Sequence, residues 1–364
     1  MNAMGDVVAN ISGQRMRRVI FEDAARGLTI TEWNPLQQDH VDLIPRILWG
    51  SDGPRYRIPH MDTRCLLGPS KNILRLERHG KLIGSYLFVG KRTTVAGIPV
   101  QAWYRTLLAI DPSERGKGYG QLLVAEAQRH FFETATLPTV LFGYVQSNNT
   151  LSMRALEASG YEQVGQLAIL AMTRLFPHVD ERVRATRPSE REAMVRSLSD
   201  RFSDHDLVDV DQSFEPEQHL VLEDTQGIKA GASFARFHEQ LVEMPGVLER
   251  WMVRNGRRFP VIGRILDFDD YDFLWFSTLH YPEGDVRSLY KVLETAMARE
   301  KIYHGMIYLD TRSPMYREVS RTGRGLVAAM SDIYTAEVMV ATHDLDLELL
   351  RQERPLWISP MVPF

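Results

Sequence analysis

The chain has 364 residues, 44% hydrophobic and 25% charged, which is enough apolar material for a packed core in each of two domains. A net charge of −4 argues against the basic excess of a nucleic-acid surface, and the short Arg15-Met16-Arg17-Arg18 cluster does not reverse it. The single cysteine, Cys65, excludes an intrachain disulfide and reads as a small buried apolar residue.

Asp6, Glu22 and Asp23 interrupt the N-terminal stretch, so it does not read as a signal peptide, and no run of about 18 apolar residues offers a membrane span. The expectation is a cytoplasmic protein with no membrane partner. Residues 1–26 carry no clear periodicity and read as a leader that need not be ordered.

Taken in chain order, Leu28 to Trp33 alternates as a strand. Residues 37–49 place Val41, Ile44, Ile47 and Leu48 on one helical face. A Gly/Pro-rich loop runs from Gly50 to Asp62, and long loops in compact domains often carry function. Ile73–Glu77 and Leu82–Val89 flank His79-Gly80-Lys81 as a hairpin. The chain turns again at Thr94–Pro99 and enters a central strand over Val100–Ile110. Residues 118–134 form a helix, Val140–Val145 a buried strand, Asn149–Ser159 a helix stopped at Gly160, and Tyr161–Ala171 a strand. A meander followed by β-α-β-α-β predicts an α/β (α+β) fold, a mixed sheet with helices on both faces.

The stretch that carries chemistry is Ile110-Asp111-Pro112-Ser113-Glu114-Arg115-Gly116-Lys117-Gly118-Tyr119-Gly120-Gln121. A strand runs into a glycine-rich turn and the turn opens a helix. The first N–H groups of a helix have no internal partner, and the helix dipole adds positive charge there, so the turn is an anion site suited to phosphate. Arg115 and Lys117 add full charges beside it. A nucleoside-triphosphate loop needs Gly-Lys-Ser/Thr, but Gly118 follows Lys117; a dinucleotide fingerprint needs G-x-G-x-x-G, but the glycines fall at 116, 118 and 120.

Arg115-x-x-Gly118-x-Gly120 behind Ile110-Asp111-Pro112 resembles the coenzyme-A motif of the GNAT superfamily of acyl-CoA-dependent N-acyltransferases. Downstream, Val145-x-x-x-Asn149-x-x-Ser152 and then Gly160-Tyr161 resembles that family's later strand-helix motif. The resemblance implies two central parallel strands that part to admit the pantetheine arm. It implies backbone groups of Leu108 and Ile110 facing that arm, Arg115 through Gln121 (Arg115, Gly116, Lys117, Gly118, Tyr119, Gly120, Gln121) around the pyrophosphate, and Asn149, with Ser152, beside the thiol end. It implies acetyl-CoA as cosubstrate, with no metal. The pattern departs from the family twice. The Tyr that many members carry seven residues after the helix-starting Asn is Leu156 here, and Trp103–Leu108 holds no carboxylate to serve as base. Tyr104, Tyr144, His60 and Asp62 are the replacement candidates, with Tyr144 and His60 ranked together.

The same element order returns after a charged linker. The division expected is a leader over 1–26, a catalytic GNAT domain over 27–176, a linker over 177–188 and a degenerate GNAT-like domain over 189–364. The second half offers a helix from Glu190 to Phe202, a hairpin around Thr225-Gln226-Gly227 and a helix over Leu248–Arg254. A strand over Phe273–Leu279, a helix over 285–300, a strand over His304–Leu309, a helix over Met315–Thr322 and a hairpin over Leu326–Val340 follow. Its counterpart of the phosphate turn, Leu279-His280-Tyr281-Pro282-Glu283-Gly284-Asp285, has one glycine and two acids, which repel phosphate. Gly323-Arg324-Gly325 leaves a helix and enters a strand, so it reads as a helix cap and turn. The apolar ending Trp357–Phe364 reads as docked.

The expected function is transfer of an acyl group, most simply acetyl, from coenzyme A to a primary amine in a direct ternary complex. The acceptor classes left open are an amino acid, a polyamine, an antibiotic or a protein lysine. The alternative is a non-catalytic acyl-CoA-binding module. The sequence does not speak to oligomeric state.

Overall fold

The computed structural model describes residues 16–34, 37–50, 54–59, 71–244, 246, 255, 271–323, 325 and 333–358. The first half starts earlier than its periodicity implies. Strand β1 (Met16–Asp23) pairs antiparallel with β2 (Leu28–Asn34), so residues 16–23 of the expected leader belong to the sheet. Helix α1 (Gln38–Leu43) passes into a 3-10 turn at Ile44–Arg46 and goes no further, because Pro45 has no N–H to continue the ladder. Strand β3 (Arg55–Arg57) follows within the Gly/Pro-rich loop. Strands β4 (Lys71–Arg78), β5 (Lys81–Val95) and β6 (Ile98–Ile110) form a meander. Its turns place two residues each at positive φ, His79 (49°) with Gly80 (75°) and Ala96 (48°) with Gly97 (81°), the twist that two-residue hairpins favour. Helix α2 (Tyr119–Glu133), β7 (Thr139–Gln146), α3 (Thr150–Glu157) and β8 (Glu162–Thr173) complete the expected order.

The second half repeats it. Strand β9 (Val183–Ala185) lies in the stretch that reads as linker and pairs with β10 (His219–Asp224). Helix α4 (Arg191–Arg201) precedes that hairpin, whose other arm is β11 (Gly227–Glu243). Strand β12 (Tyr271–His280), helix α5 (Val286–Glu300), strand β13 (His304–Asp310), helix α6 (Pro314–Arg321) and strand β14 (Tyr334–His343) follow. The helix expected over 248–254 lies outside the described residues, as do residues 326–332 of the expected final hairpin; the described remainder of that hairpin is the single strand β14.

The described strands join in one 14-stranded sheet, in the order β1-β2-β4-β5-β6-β7-β14-β8-β13-β12-β11-β10-β9, with β3 on β11. Apart from β1, which has no counterpart, the order is symmetric about the β14–β8 pair. Strand β14, from the second half, pairs with β7 of the first; β8, from the first half, pairs with β13 of the second; β14 and β8 pair antiparallel between them. Each half thus lends its last strand to the other. One apolar cluster mixes both halves, with Leu43, Tyr104 and Phe142 beside Leu207, Val338, Val340 and Leu356. A second lies under α2 and α3 and a third around α5. Buried Lys91 fastens the halves further, its Nζ 3.3 Å from Asp209 and 2.7 Å from the Leu207 carbonyl.

Candidate active site

Two pairs of strands in this sheet run parallel, β6 with β7 and β12 with β13. The first pair holds register from Gln101↔Thr139 to Tyr104↔Phe142 and then parts. On its other side β6 slips register against β5 between Ser85 and Leu87, opposite a bulge at Leu107, whose φ is +52°. A buried leucine in that conformation is strained and is held there only by its surroundings. The bulge withdraws residues 107 and 108 from regular pairing just where β6 and β7 diverge. A cavity of about 140 Å³ fills the gap, walled by Thr106, Leu107 and Leu108 on β6, Tyr144–Gln146 on β7, and Asn149, Ser152 and Leu156 from α3.

Strand β6 ends by this cavity at Ile110. Asp111 then caps a 3-10 turn, accepting from the Ser113 N–H at 3.0 Å and its hydroxyl at 2.7 Å, and pairs with Arg46 at 3.0 Å. The Ser113 bonds hold its carboxyl below the usual carboxylate range, with Arg46 reinforcing. Gly116 and Gly118 follow at φ 77° and 79°, a region costly for any residue with a Cβ. A Cβ on either would meet no heavy atom within 4 Å, so the space before the turn is open and the backbone conformation is what calls for glycine. Gly118 is the N-cap of α2 and offers no side chain to its first N–H groups. Arg115 donates to the Leu48 carbonyl at 3.3 Å, tying the turn to the segment after α1. Lys117 pairs with Glu114 at 2.8 Å, and Glu114 also takes Arg78 at 3.0 Å. An open helix start, flanked by two cations and reached from the gap along the end of β6, fits a diphosphate that carries an extended arm.

Asn149 is the N-cap of α3, accepting from the Ser152 N–H at 3.2 Å while its own N–H bonds the Gln146 carbonyl at 2.7 Å. The cap fixes the helix start against the cavity, where Asn149 and Ser152 both stand. Leu156, at the position where many relatives place an acid, is buried and lines the same cavity. Tyr144 is there too, its ring 5.1 Å from that of Tyr104. Burial pushes its phenol well above the usual tyrosine range, with Tyr104 adding to the effect. Tyr119 packs into the core under α2. His60, Asp62 and Cys65 lie outside the described residues.

Sequence reasoning missed three residues. Trp49 and Tyr56 wall the cavity from the Gly/Pro-rich loop, joined across an isolated bridge. The loop's length was the available signal. Arg105 enters from β6, and nothing in its neighbours marks it. Among the described residues no group of His, Cys, Asp or Glu is gathered as metal ligands would be, and no helix is long and apolar enough to cross a membrane.

The second half builds the same frame and fills it. Strands β12 and β13 hold register from Leu274↔Gly305 to Phe276↔Ile307 and then part, beside a bulge at Thr278 with φ +50°. The chain's own Leu356, Trp357 and Ile358 line that gap and leave a cavity of only about 40 Å³. The Leu356 N–H donates to buried Asp310 at 3.0 Å, and Arg312 pairs with the same carboxylate at 2.7 Å. At the start of α5 the N-cap is Asp285, which accepts from the Ser288 hydroxyl at 2.7 Å and pairs with Lys229 at 2.8 Å. A carboxylate of the protein sits where the first half leaves room for an anion.

Comparison with known proteins agrees with this reading of the frame. Solved structures with the same fold include the N-myristoyltransferase of Saccharomyces cerevisiae with bound myristoyl-CoA (10% identity, 90% of this chain and 85% of that one, TM-score 0.56). A GCN5-related glucosamine N-acetyltransferase region of a fungal multi-domain β-N-acetylglucosaminidase also matches (14% identity, 86% of this chain and 38% of that one, TM-score 0.53). A GCN5-related N-acetyltransferase from Sphaerobacter thermophilus aligns at 16% identity over 80% of this chain and 83% of that one, with TM-score 0.44. Comparison with curated proteins returns no match. The pattern of the acetyltransferase (GNAT) family matches residues 41–161, the span that holds the cavity, the glycine turn and both flanking helices. Residues 41–161 thus resemble a GNAT-family acetyltransferase domain, a match that spans about a third of the chain.

Proposed function

We propose that the first half binds acetyl-CoA, or another short acyl-CoA, and transfers the acyl group to a primary amine in a direct ternary complex. The observation that carries this reading is that β6, which walls the cavity at Leu107 and Leu108, runs two residues further to Ile110 and into the glycine turn whose Gly118 opens α2. Residues Arg115 through Gln121 would hold the pyrophosphate, and the backbone of Leu108 and Ile110, with Asn149 and Ser152, would flank the arm. Aminolysis of a thioester forms a C–N bond and breaks the C–S bond; the amine gives up a proton and the departing thiolate takes one. Holding both partners in place supplies much of the rate, with effective molarities of roughly 10⁵ M or more. A proton donor adds about 10²–10⁴-fold. Tyr144 is the candidate donor by position, since it lines the cavity; burial, which raises its phenol further above neutrality, makes it a weaker acid than an ordinary tyrosine.

The domain organisation proposed with it is one active GNAT unit, residues 27–176, and a second unit, 189–364, that keeps the fold without the coenzyme site. The competing reading is an acyl-CoA-binding module without turnover, favoured by Leu156 at the acid position and by the absence of a carboxylate in Trp103–Leu108. Calorimetry with acetyl-CoA on the wild type and on Gly118→Trp, followed by free-thiol release against a panel of amines, separates the two. Binding lost in the variant, with thiol released by one amine class, bears out the transferase. Binding without turnover across the panel favours the module. A wild type that does not bind acyl-CoA refutes both.

A further inference from the structure

Arg105 is the first residue of β6 beyond its last pairing with β7, and it is only 6% exposed. Its guanidinium donates from Nη1 to the Tyr86 hydroxyl at 3.2 Å and lies over the Tyr161 ring with Cζ 4.7 Å from the centroid. Nε and Nη2 are buried without a hydrogen-bond partner, and among the described residues no carboxylate pairs with this side chain. Across the gap stands Gly143 of β7. A Cβ there would come within 2.8 Å of the Arg105 Cγ and 3.2 Å of its Cζ, so the bare glycine is what lets the arginine cross from one parting strand to the other. The crossing occurs at the cavity that Arg105 lines together with Tyr86, Tyr144 and Leu156.

A guanidinium carries five donors in a planar fork, and withdrawing it from water with two nitrogens unmet is costly unless something pairs with it. A carboxylate matches that fork in charge and shape. A saturated chain does not, because it would lie against an unpaired charge.

We propose that Arg105 is a specificity-determining residue that receives a carboxylate brought into the gap by the substrate. The inference rests on the acyl-CoA reading above and names its substrate class. The carboxylate belongs either to the far end of a short dicarboxylic acyl group or to an amino-acid acceptor, and it stays intact while the C–N bond forms.

The test uses the full chain as wild type, Arg105→Met and Arg105→Lys, with thermal unfolding recorded for each. Calorimetry compares CoA, acetyl-CoA and succinyl-CoA; CoA alone reports on the pyrophosphate turn independently of Arg105. Thiol release from acetyl-CoA then compares alanine with ethylamine. If the acyl group carries the carboxylate, succinyl-CoA binds about tenfold or more tighter than acetyl-CoA, and Arg105→Met abolishes the difference. If the acceptor carries it, the two thioesters bind alike, alanine outruns ethylamine by a similar factor, and the same variant abolishes that preference. Should Arg105→Met fail to fold, Arg105→Lys is read in its place and keeps only part of the preference, since a point charge replaces the fork. CoA binding with neither preference in the wild type, or a preference that survives in the folded Arg105→Met protein, overturns the proposal and leaves the coenzyme reading standing. No CoA binding at all overturns both.

Discussion

The two points where parallel strands part, β6 from β7 and β12 from β13, share a frame and differ in what occupies it. Both sit beside a bulge with a non-glycine residue at positive φ, Leu107 in one and Thr278 in the other. Both feed a turn that opens a fifteen-residue helix. In the first the helix starts on Gly118 and the gap is a cavity; in the second it starts on Asp285 and the gap holds Leu356 and Trp357. A frame of this kind therefore becomes a binding site by what is left out of it. The difference reaches down to one pair of registered neighbours. Gly84 faces Ile110 in the first half, whereas Gly231 faces His280 in the second, and His280 stacks on His219 at 5.4 Å.

Removing the second gap's occupant is the most severe way to break the contrast. Trp357 is 3% exposed, packs on Phe202 and stands 5.5 Å from the Lys91 ammonium. Trp357→Ala is expected to cost about 3–5 kcal/mol in urea unfolding through the cavity it leaves. A loss under 1 kcal/mol would mean that the tail does not help hold the second half.

The converse change closes the first site. Gly118→Asp copies Asp285 into the open helix start, adding left-handed strain and a repelling charge. Calorimetry is expected to show acyl-CoA affinity falling by roughly 100-fold. Gly118→Asn, which tolerates that backbone better and carries no charge, should lose clearly less. Equal losses would assign the effect to conformation alone.

Acid acts on both halves, since burial also holds His40 of α1 down to about 4, and the second half adds a stacked histidine pair. Burial, helped by Arg201, holds His280 down to about 4, and burial holds His219 well below its ordinary 6.5, helped by His280. Both are neutral in the fold, while the unfolded chain takes up protons near pH 6.5. Stability is therefore full above about pH 6.5 and declines as the pH falls toward 4. His280 alone contributes on the order of 3 kcal/mol to that decline, and His219 adds to it. His280→Ile, which installs the first half's residue, should reduce the dependence of the urea midpoint between pH 7.5 and 5, leaving the share due to His40 and His219. An unchanged slope would show that other groups govern it.

The smallest effect sharpens the comparison. Asp285→Ala removes a helix cap and should cost about 1 kcal/mol, read as a lowered melting temperature. It should not create a second coenzyme site, because Leu356 and Trp357 still fill the adjoining gap. Calorimetric stoichiometry above one coenzyme per chain would contradict that.

The sequence was readable wherever a residue's own backbone preference decides the outcome. The hairpin at His79-Gly80, the turn through Gly116 and Gly118, and the Asn149 cap are of this kind, and the last two delimit the site. It was silent where distant partners decide. Strand β1 gains its place from β2, and β9 from β10, without a periodic signal of their own. The bulge at Leu107 is imposed by the sheet on a residue that does not prefer it. Arg105 looks like any strand arginine until Gly143 is placed opposite it. The glycine turn could be read directly, whereas Arg105 and the cavity wall around it needed the fold.

The exchange of last strands has a consequence for how the protein is made. Strand β7 is finished on its outer side only by β14, which pairs Val340 with Phe142 and Ala336 with Gln146. Roughly 200 residues of chain separate those partners, so at ordinary synthesis rates β7 waits about 10–40 s on the ribosome. Through that interval the nascent first half exposes an apolar strand edge, the kind of surface that recruits wrong partners. The first half therefore gains its finishing strand only once residues 334–343 are made, and a copy cut short before residue 334 would leave β7 with an unpaired edge.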